Sequence, residues 1–397
     1  MSGEYAMTPS TFRSSSGLEN DRPEFLRKER DFAVKCGAHY TPEFDVEGPI
    51  IEDNYVVGVF GKDSKMAHKE FRAKVVIDAL GIATNIRRKL PDNHFIDKVV
   101  HIDDVESTGR YIYDCEVIGD DPKFYDPKNA LIHLNQLFSP GGYGWVFPKS
   151  SNGRVNVGIG VQKRSLVLYN QKFGKAATLH SLMDEYVKWN KVLKAKKLFD
   201  KDNNGKGYWS VAVRRQLESL VYNGYLGAGD SMAMPNPISA GGIGPALVAG
   251  VLAGENAARA VHARDASIEG MWKYNIDFNE AYGNKTAGME VFRIYLQSLN
   301  NEVINYGMKN FLSDQEAVDL CYGRIPDLSL KSKFKMVLKG VQNINAFSNL
   351  IYAVKVMKTL NAHYSKYPAS PAEFQKWRDT MASIMAEVKR QFPPNPV

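Results

Sequence analysis

Hydrophobic periodicity is missing from about the first twenty residues, where Ser, Thr and Gly dominate and a frayed lead-in is expected. It begins in "DRPEFLRKERDFAVKCGA". Asp21 is placed to cap a helix there, Phe25, Phe32 and Val34 fall among charged residues, and Gly37 is a natural stop. Runs of β-branched and aromatic residues follow. "NYVVGVFG" reads as a strand, and "KVVIDAL", ending at Gly81, reads as a buried parallel strand. Residues 99–161 form a mostly β region with four runs, "RYIYDCEVI", "ALIHLNQLF", "GYGWVFP" and "RVNVGIGVQ". Ser139-Pro140-Gly141-Gly142 and Ser151-Asn152-Gly153 supply turns between them. The pattern turns helical from Ala176 to Phe199, and "DKDNNGKG" is then a loop. A strand is expected near Tyr225, a helix from Pro245 to about Arg264, and further helices from Ser267 to Phe392.

Composition narrows the class. With 44% hydrophobic and 11% aromatic residues, the 397-residue chain can bury the cores of two or three domains. The net charge of +7 is spread without an arginine-rich block, so it suits an anionic membrane surface, a phosphorylated substrate or an acidic electron donor, and no nucleic-acid partner is expected. Cys36, Cys115 and Cys321 lie far apart and form no C-x-x-C pair, which fits a reducing cytoplasm. The histidines show no metal-ligand spacing, so no metal is expected. No apolar run approaches the roughly 20 residues needed to span a bilayer, so any membrane contact is expected to be peripheral, at the inner face of the cell membrane.

The first chemical signal is "YLGAGDSMAMPNPISAGGIGPALVAG", a strand, a polar turn, a glycine loop and a helix start. Pro245 is favoured at a first helical position, and Ala246, Ala249, Gly250, Ala253, Gly254 and Ala257 would let that helix approach a sheet or ligand closely. A helix N-terminus carries unpaired N–H groups and partial positive charge, so it suits a phosphate or a group that becomes anionic during catalysis, such as the N1/C2 edge of a reduced flavin. Asp230 suits the hydroxyls of a ribityl or ribose chain rather than a phosphate. A tight strand-to-helix connection with small packing residues explains many such loops. The second signal is "SPGGYGWVFPKSSNGRVNVGIGV", in which Tyr143, Trp145 and Phe147 alternate and so share one face of an extended strand. A cross-strand aromatic ladder in a core is the structural alternative.

Together these segments resemble the flavoprotein family that includes aromatic hydroxylases and geranylgeranyl reductases. Gly229 and Asp230 match its Gly-Asp, Pro235 and Pro237 its proline segment, and Gly241, Gly242, Ile243 and Gly244 the loop beneath the isoalloxazine ring. Tyr143 to Pro148 resembles the Y-x-W-x-F-P motif of geranylgeranyl reductases, in which that face lines an isoprenoid cavity. "FRAKVVIDALGIATNIRRKL" is a weaker match, with Leu80 where the motif commonly has Asp, which bears on any direct NAD(P)H contact. The resemblance covers roughly residues 20 to 265. It implies an α/β fold with an incomplete FAD-binding Rossmann-like domain (1–98 and 218–265), an inserted antiparallel β-sheet substrate domain (99–217) and a helical C-terminal domain (266–397).

The G-x-G-x-x-G unit that grips the ADP half of FAD is not found in this sequence, and on the family order the chain starts after it, near Asp21. A coding start placed inside a longer gene is the favoured explanation, ahead of a second chain supplying the unit or a lost flavin site. The resemblance implies reduction of C=C bonds in geranylgeranyl chains of archaeal-type ether lipids by hydride from reduced FAD, with ferredoxin, NAD(P)H or a deazaflavin as electron donor. Tyr143 and Trp145 would then stabilise developing positive charge, Phe147 and Pro148 would shape the chain's path, and Tyr143 is a candidate proton donor. A flavin monooxygenase, a non-catalytic isoprenoid binder and a subunit of a split enzyme remain as alternatives.

Overall fold

The computed structural model describes residues 22–119, 123–149, 153–199, 205–310 and 344–394, together with 6–8, 121, 316, 319 and 324–325. Most of the lead-in, the helix cap Asp21, the turn residues Ser151 and Asn152, the loop residues 200–204 and Cys321 lie outside the described residues. The N-terminal half runs β1 (Ala6–Thr8), α1 (Arg22–Lys35), β2 (Phe44–Glu52), β3 (Tyr55–Asp63), β4 (His68–Arg72), β5 (Val76–Asp78), α2 (Asn85–Arg88), β6 (Val105–Val117), β7 (Leu131–Leu134), β8 (Gly144–Pro148) and β9 (Arg154–Gln162). There follow α3 (Lys163–Phe173), α4 (Leu179–Trp189), β10 (Leu193–Leu198), β11 (Lys206–Ala212), β12 (Val221–Tyr222), β13 (Tyr225–Gly227) and α5 (Ile243–Ala263). The helices after it are α6 (Ile268–Met271), α7 (Lys273–Phe278), α8 (Asn284–Thr286), α9 (Met289–Gln297), α10 (Asn301–Asn310), α11 (Ile344–Tyr364) and α12 (Phe374–Gln391).

The substrate-sized feature of the fold is an antiparallel sheet in the order β1-β7-β8-β9-β6, with β10 and β11 sharing the far edge of β6. Alternation decides its faces. In β9, Val155, Val157, Ile159 and Val161 are buried and share a core with Leu182, Met183 and Tyr186 of α4. Each such side chain stabilises the fold by roughly 1.5–3 kcal/mol. The intervening positions Asn156, Gly158 and Gly160 must therefore face the other way.

Two smaller sheets, β2-β3-β4 and β12-β13-β5, complete the β structure. As expected, "KVVIDAL" gives a parallel strand, paired from Val76–Asp78 to Tyr225–Gly227. It is shorter than expected, and Ile77 is exposed. The helices after α5 share one hydrophobic core with β13 and α5, through Met271, Phe278, Val291, Met357 and Phe374 among others. No helix among the described residues is long and apolar enough to cross a membrane.

Several expectations are corrected. Ala6–Thr8, in the lead-in expected to fray, pairs with β7. The helical reading of residues 176–199 holds for α4, but Leu193–Leu198 is a strand. Asn190 ends the helix, because its side-chain oxygen accepts from the backbone N–H of Val192 (3.1 Å) and Leu193 (3.0 Å). The lysine-rich segment beyond then lies along the sheet edge with a bulge between Lys194 and Lys197, where charged side chains are tolerated. Helix α5 begins at Ile243, two residues ahead of Pro245, whose missing N–H costs nothing in a first turn. Its small residues divide between two sides: Ala249 and Ala253 are fully buried, whereas Gly250 and Gly254 are exposed.

A buried ionic cluster joins the end of the large sheet to the helices. Arg214 and Arg215 each lie 2.7 Å from the Glu218 carboxylate, Arg215 also pairs with Glu290 of α9, and Arg293 lies 2.8 Å from Asp104.

Candidate functional site

The glycine loop is built on a locked platform. Asp78, fully buried at the end of β5, accepts from the Thr84 hydroxyl at 2.6 Å, the Tyr225 hydroxyl at 3.0 Å and the Leu80 N–H at 3.0 Å. The Ser231 hydroxyl donates to the Asp78 carbonyl, and buried Arg87 donates to the Ser231 carbonyl. Leu80, the position where the resemblance led one to look for an acid, is exposed, and the buried carboxylate stands two residues earlier.

Above this platform Gly229 adopts φ +68°, and the alanines Ala233 and Ala240 adopt φ 56° and 52°. A left-handed alanine costs about 1–2 kcal/mol. Asn236, buried between Pro235 and Pro237, holds the second of these turns. Its side-chain oxygen accepts from Ile238 (2.8 Å) and Ser239 (3.2 Å), and its carbonyl accepts from Ala240 at 2.8 Å. The chain then passes through Gly241 and Gly242 into α5. Gly242 contributes no side-chain cap, and a Cβ on Gly244 would meet nothing within 4 Å. Bare backbone and a helix N-terminus are thus offered at an open surface. Asp230 stands at the same end, its Oδ1 3.3 Å from where a Gly242 Cβ would be.

The aromatic strand forms a row on the sheet face opposite the core. Ring centroids are 6.0 Å apart from Tyr143 to Trp145 and 6.1 Å from Trp145 to Phe147, and all three residues are half-buried. Between them Gly144 and Val146 turn to the core, where Tyr186 leaves no room for a Cβ at Gly144. Trp145 lies across Gly158 of the neighbouring strand, with its Nε1 donating to Asn156 at 3.0 Å. Beyond β9, Arg110 stands opposite Gly158, and its guanidinium lies 5.4 Å from the Trp209 ring, which in turn covers Gly207. The glycines of this face are thus covered by larger neighbours: the Trp145 ring lies over Gly158, the Glu106 carboxyl over Gly160 and the Trp209 ring over Gly207. Pro148 ends the β8 side.

The two signals meet. The Tyr143 hydroxyl donates to the Ser239 carbonyl, tying the inner end of the aromatic row to the loop before Gly241. All the residues singled out from the sequence thus fall on one loop or one strand, and this hydrogen bond joins the two. Sequence reasoning missed Asp78, Asn236, Gly158, Gly160, Arg110, Trp209 and Glu106. The one available signal was the alternation of Val and Ile with Gly and Asn in β9.

The architecture is shared with flavin-dependent enzymes. A geranylgeranyl bacteriochlorophyll reductase-like protein from Thermoplasma acidophilum superposes with a TM-score of 0.63 at 22% identity, covering 84% of this chain and 75% of that one. A flavin-dependent brominase does so with a TM-score of 0.51 at 17% identity, covering 92% and 76%. The chain therefore shares the fold of these proteins. The family model of the geranylgeranyl reductase catalytic domain matches residues 104–198. The digeranylgeranylglycerophospholipid reductase of Sulfolobus acidocaldarius is 31% identical over 384 residues, 95% of this chain and 80% of that protein. The chain belongs to the geranylgeranyl reductase family. The corresponding reductase of Methanosarcina acetivorans is 28% identical over 257 residues, and the matched stretch spans only 56% of its length.

Proposed function

We propose that this chain is a digeranylgeranylglycerophospholipid reductase, using FAD to reduce C=C bonds in the geranylgeranyl chains of archaeal-type ether lipids. The observation that carries this reading is the aromatic row joined through Tyr143 and Ser239 to a bare-backbone helix N-terminus. The residues present fit the ring and ribityl half of the cofactor, while the G-x-G-x-x-G unit that grips its ADP half is not found in this sequence. Gly241, Gly242, Ile243 and Gly244 would hold the ring edge that gains negative charge on reduction, and Gly229, Asp230 and Pro237 would shape the approach to the ribityl chain. When bound, FAD supplies the hydride. The chain's own part is to lay the isoprenoid along Trp145, Phe147 and Pro148, exclude water, and present ring faces to the carbon that becomes positive. The electron donor in this reading is ferredoxin or NAD(P)H, and the protein works in the cytoplasm, docked peripherally on the membrane.

The test is the mass of the product. Purified protein supplied with FAD, a chemical reductant and a geranylgeranyl ether lipid should add two hydrogens per double bond. Addition of one oxygen would make it a monooxygenase, and retention of unaltered lipid would make it a binder. Trp145→Ala should slow alkene reduction about tenfold, the worth of a ring-face contact of about 1–2 kcal/mol, without changing flavin absorbance. A Cβ at Gly244 would meet no atom within 4 Å, so in Gly244→Glu the melting temperature should hold while visible absorbance from retained flavin disappears. Loss of folding in that variant would show that Gly244 is needed for structure instead.

A further inference from the structure

Strand β6 places Glu106 on the same sheet face as Thr108 and Arg110, beside Gly160 and Gly158 of β9. The carboxyl is buried in space that two glycines leave free. A Cβ on Gly160 would meet its Oε2 at 2.7 Å, and one on Gly142 at 3.3 Å. It borders a cavity of about 40 Å³ shared with Gln136, Tyr143, Ile238, Arg293 and Gln297, room enough for ordered water. No described residue donates a hydrogen bond to it. Arg293, from α9, is engaged by Asp104, the Asp103 carbonyl and Gln297, while its buried Nε has no partner among the described residues. The other charged groups nearest that arginine are Glu290 and, through Asp104, Lys389. Burial pushes the Glu106 carboxyl up to about 7, although the Arg293 charge opposes the rise. By contrast, the Tyr143 hydroxyl proton is directed to the Ser239 carbonyl.

We propose that Glu106 is the acid of this site, giving its proton to the substrate alkene directly or through a water in the cavity. The inference rests on the reductase reading above. In the step, the π bond breaks and two C–H bonds form. One carbon takes a hydride, with its electron pair, from a reduced flavin, which is thereby oxidised; the other takes the proton of the Glu106 carboxylic acid. The carboxylate left behind is balanced by Arg293 and regains its proton from solvent.

The experiment compares wild-type, E106Q and E106D proteins, each supplied with FAD, chemically reduced, and given a geranylgeranyl ether lipid across pH 5 to about 9. Wild-type reduction should fall about tenfold per pH unit above about 7, and E106Q should be slower by about 100-fold or more with no such fall. E106D should recover part of the rate, and flavin absorbance should be alike in all three. A second readout needs no flavin. A carboxyl that keeps its proton longer in the folded than in the unfolded chain loses stability for the fold between pH 4.5 and about 7, so wild-type melting temperature should drop over that window and E106Q should not follow. Reduction by E106Q at the wild-type rate with an unchanged pH profile would overturn the role of Glu106 and leave the reductase reading standing. A wild-type protein that yields no reduced lipid would overturn the reading itself, and the proposal with it.

Discussion

Glu290→Ala should lower the free energy of unfolding by about 3–5 kcal/mol, the cost of leaving a buried charge without its partner. Glu290 is 1% exposed; it accepts from the Arg215 backbone N–H at 3.1 Å and from the Arg215 guanidinium, and it forms an ion pair with Arg293 at 3.6 Å. Arg215 in turn donates to Tyr364 of α11 at 2.8 Å, so the loss would reach from the sheet through α9 to the C-terminal helices. Replacing both members of the pair, Arg215→Met with Glu290→Leu, should cost much less, because no ion is then left in the interior. Urea titrations would show a lower midpoint at an unchanged slope. A shift below about 1 kcal/mol for Glu290→Ala would mean that water reaches the cluster and the network adds little. The same cluster sets an acid limit. Burial raises the Glu218 pKa, but the Arg214 and Arg215 charges outweigh it and hold the group down at about 2. Its contribution is therefore present above pH 4.5 and lost as pH falls toward 2.

Gly158→Ala should displace the Trp145 ring from the aromatic row. The added Cβ would lie 2.1 Å from Trp145 Cζ2 and 2.5 Å from the Gly109 carbonyl oxygen, so both a ring and a backbone must move. Overpacking of this kind costs about 1–3 kcal/mol of stability, and a displaced Trp145 should weaken lipid binding about 10–200-fold. Adding Trp145→Ala removes the ring clash but not the 2.5 Å approach to the Gly109 carbonyl, so it should return only part of the stability and none of the binding. Wild-type lipid affinity in Gly158→Ala would show that the chain runs elsewhere.

How much of this was legible depended on whether a residue's reason lies beside it in the chain. Tyr143, Trp145 and Phe147 announce a common face because strand geometry alone relates them, and Gly241 to Gly244 announce a helix start for the same reason. Gly158 reads in sequence only as a residue that weakens a strand; its purpose is a ring on the neighbouring strand. Trp209 and Glu106 likewise gain their meaning from cross-strand register. The segment Leu193–Leu198 reads as helix because Leu, Lys and Ala are all helix formers, and only the Asn190 cap and the open edge of β6 overrule that propensity. Asp78 is hidden by a family pattern that carries its acid at position 80.

On the proposed reading, the hydrogen bond from Tyr143 to Ser239 is a route by which lipid on the aromatic row can act on the glycine loop. Whatever factor bound lipid would apply to the loop's affinity for a flavin, the flavin would return to the row's affinity for lipid. The order in which the two ligands arrive therefore cannot alter the stability of the ternary state, only the path by which it is reached.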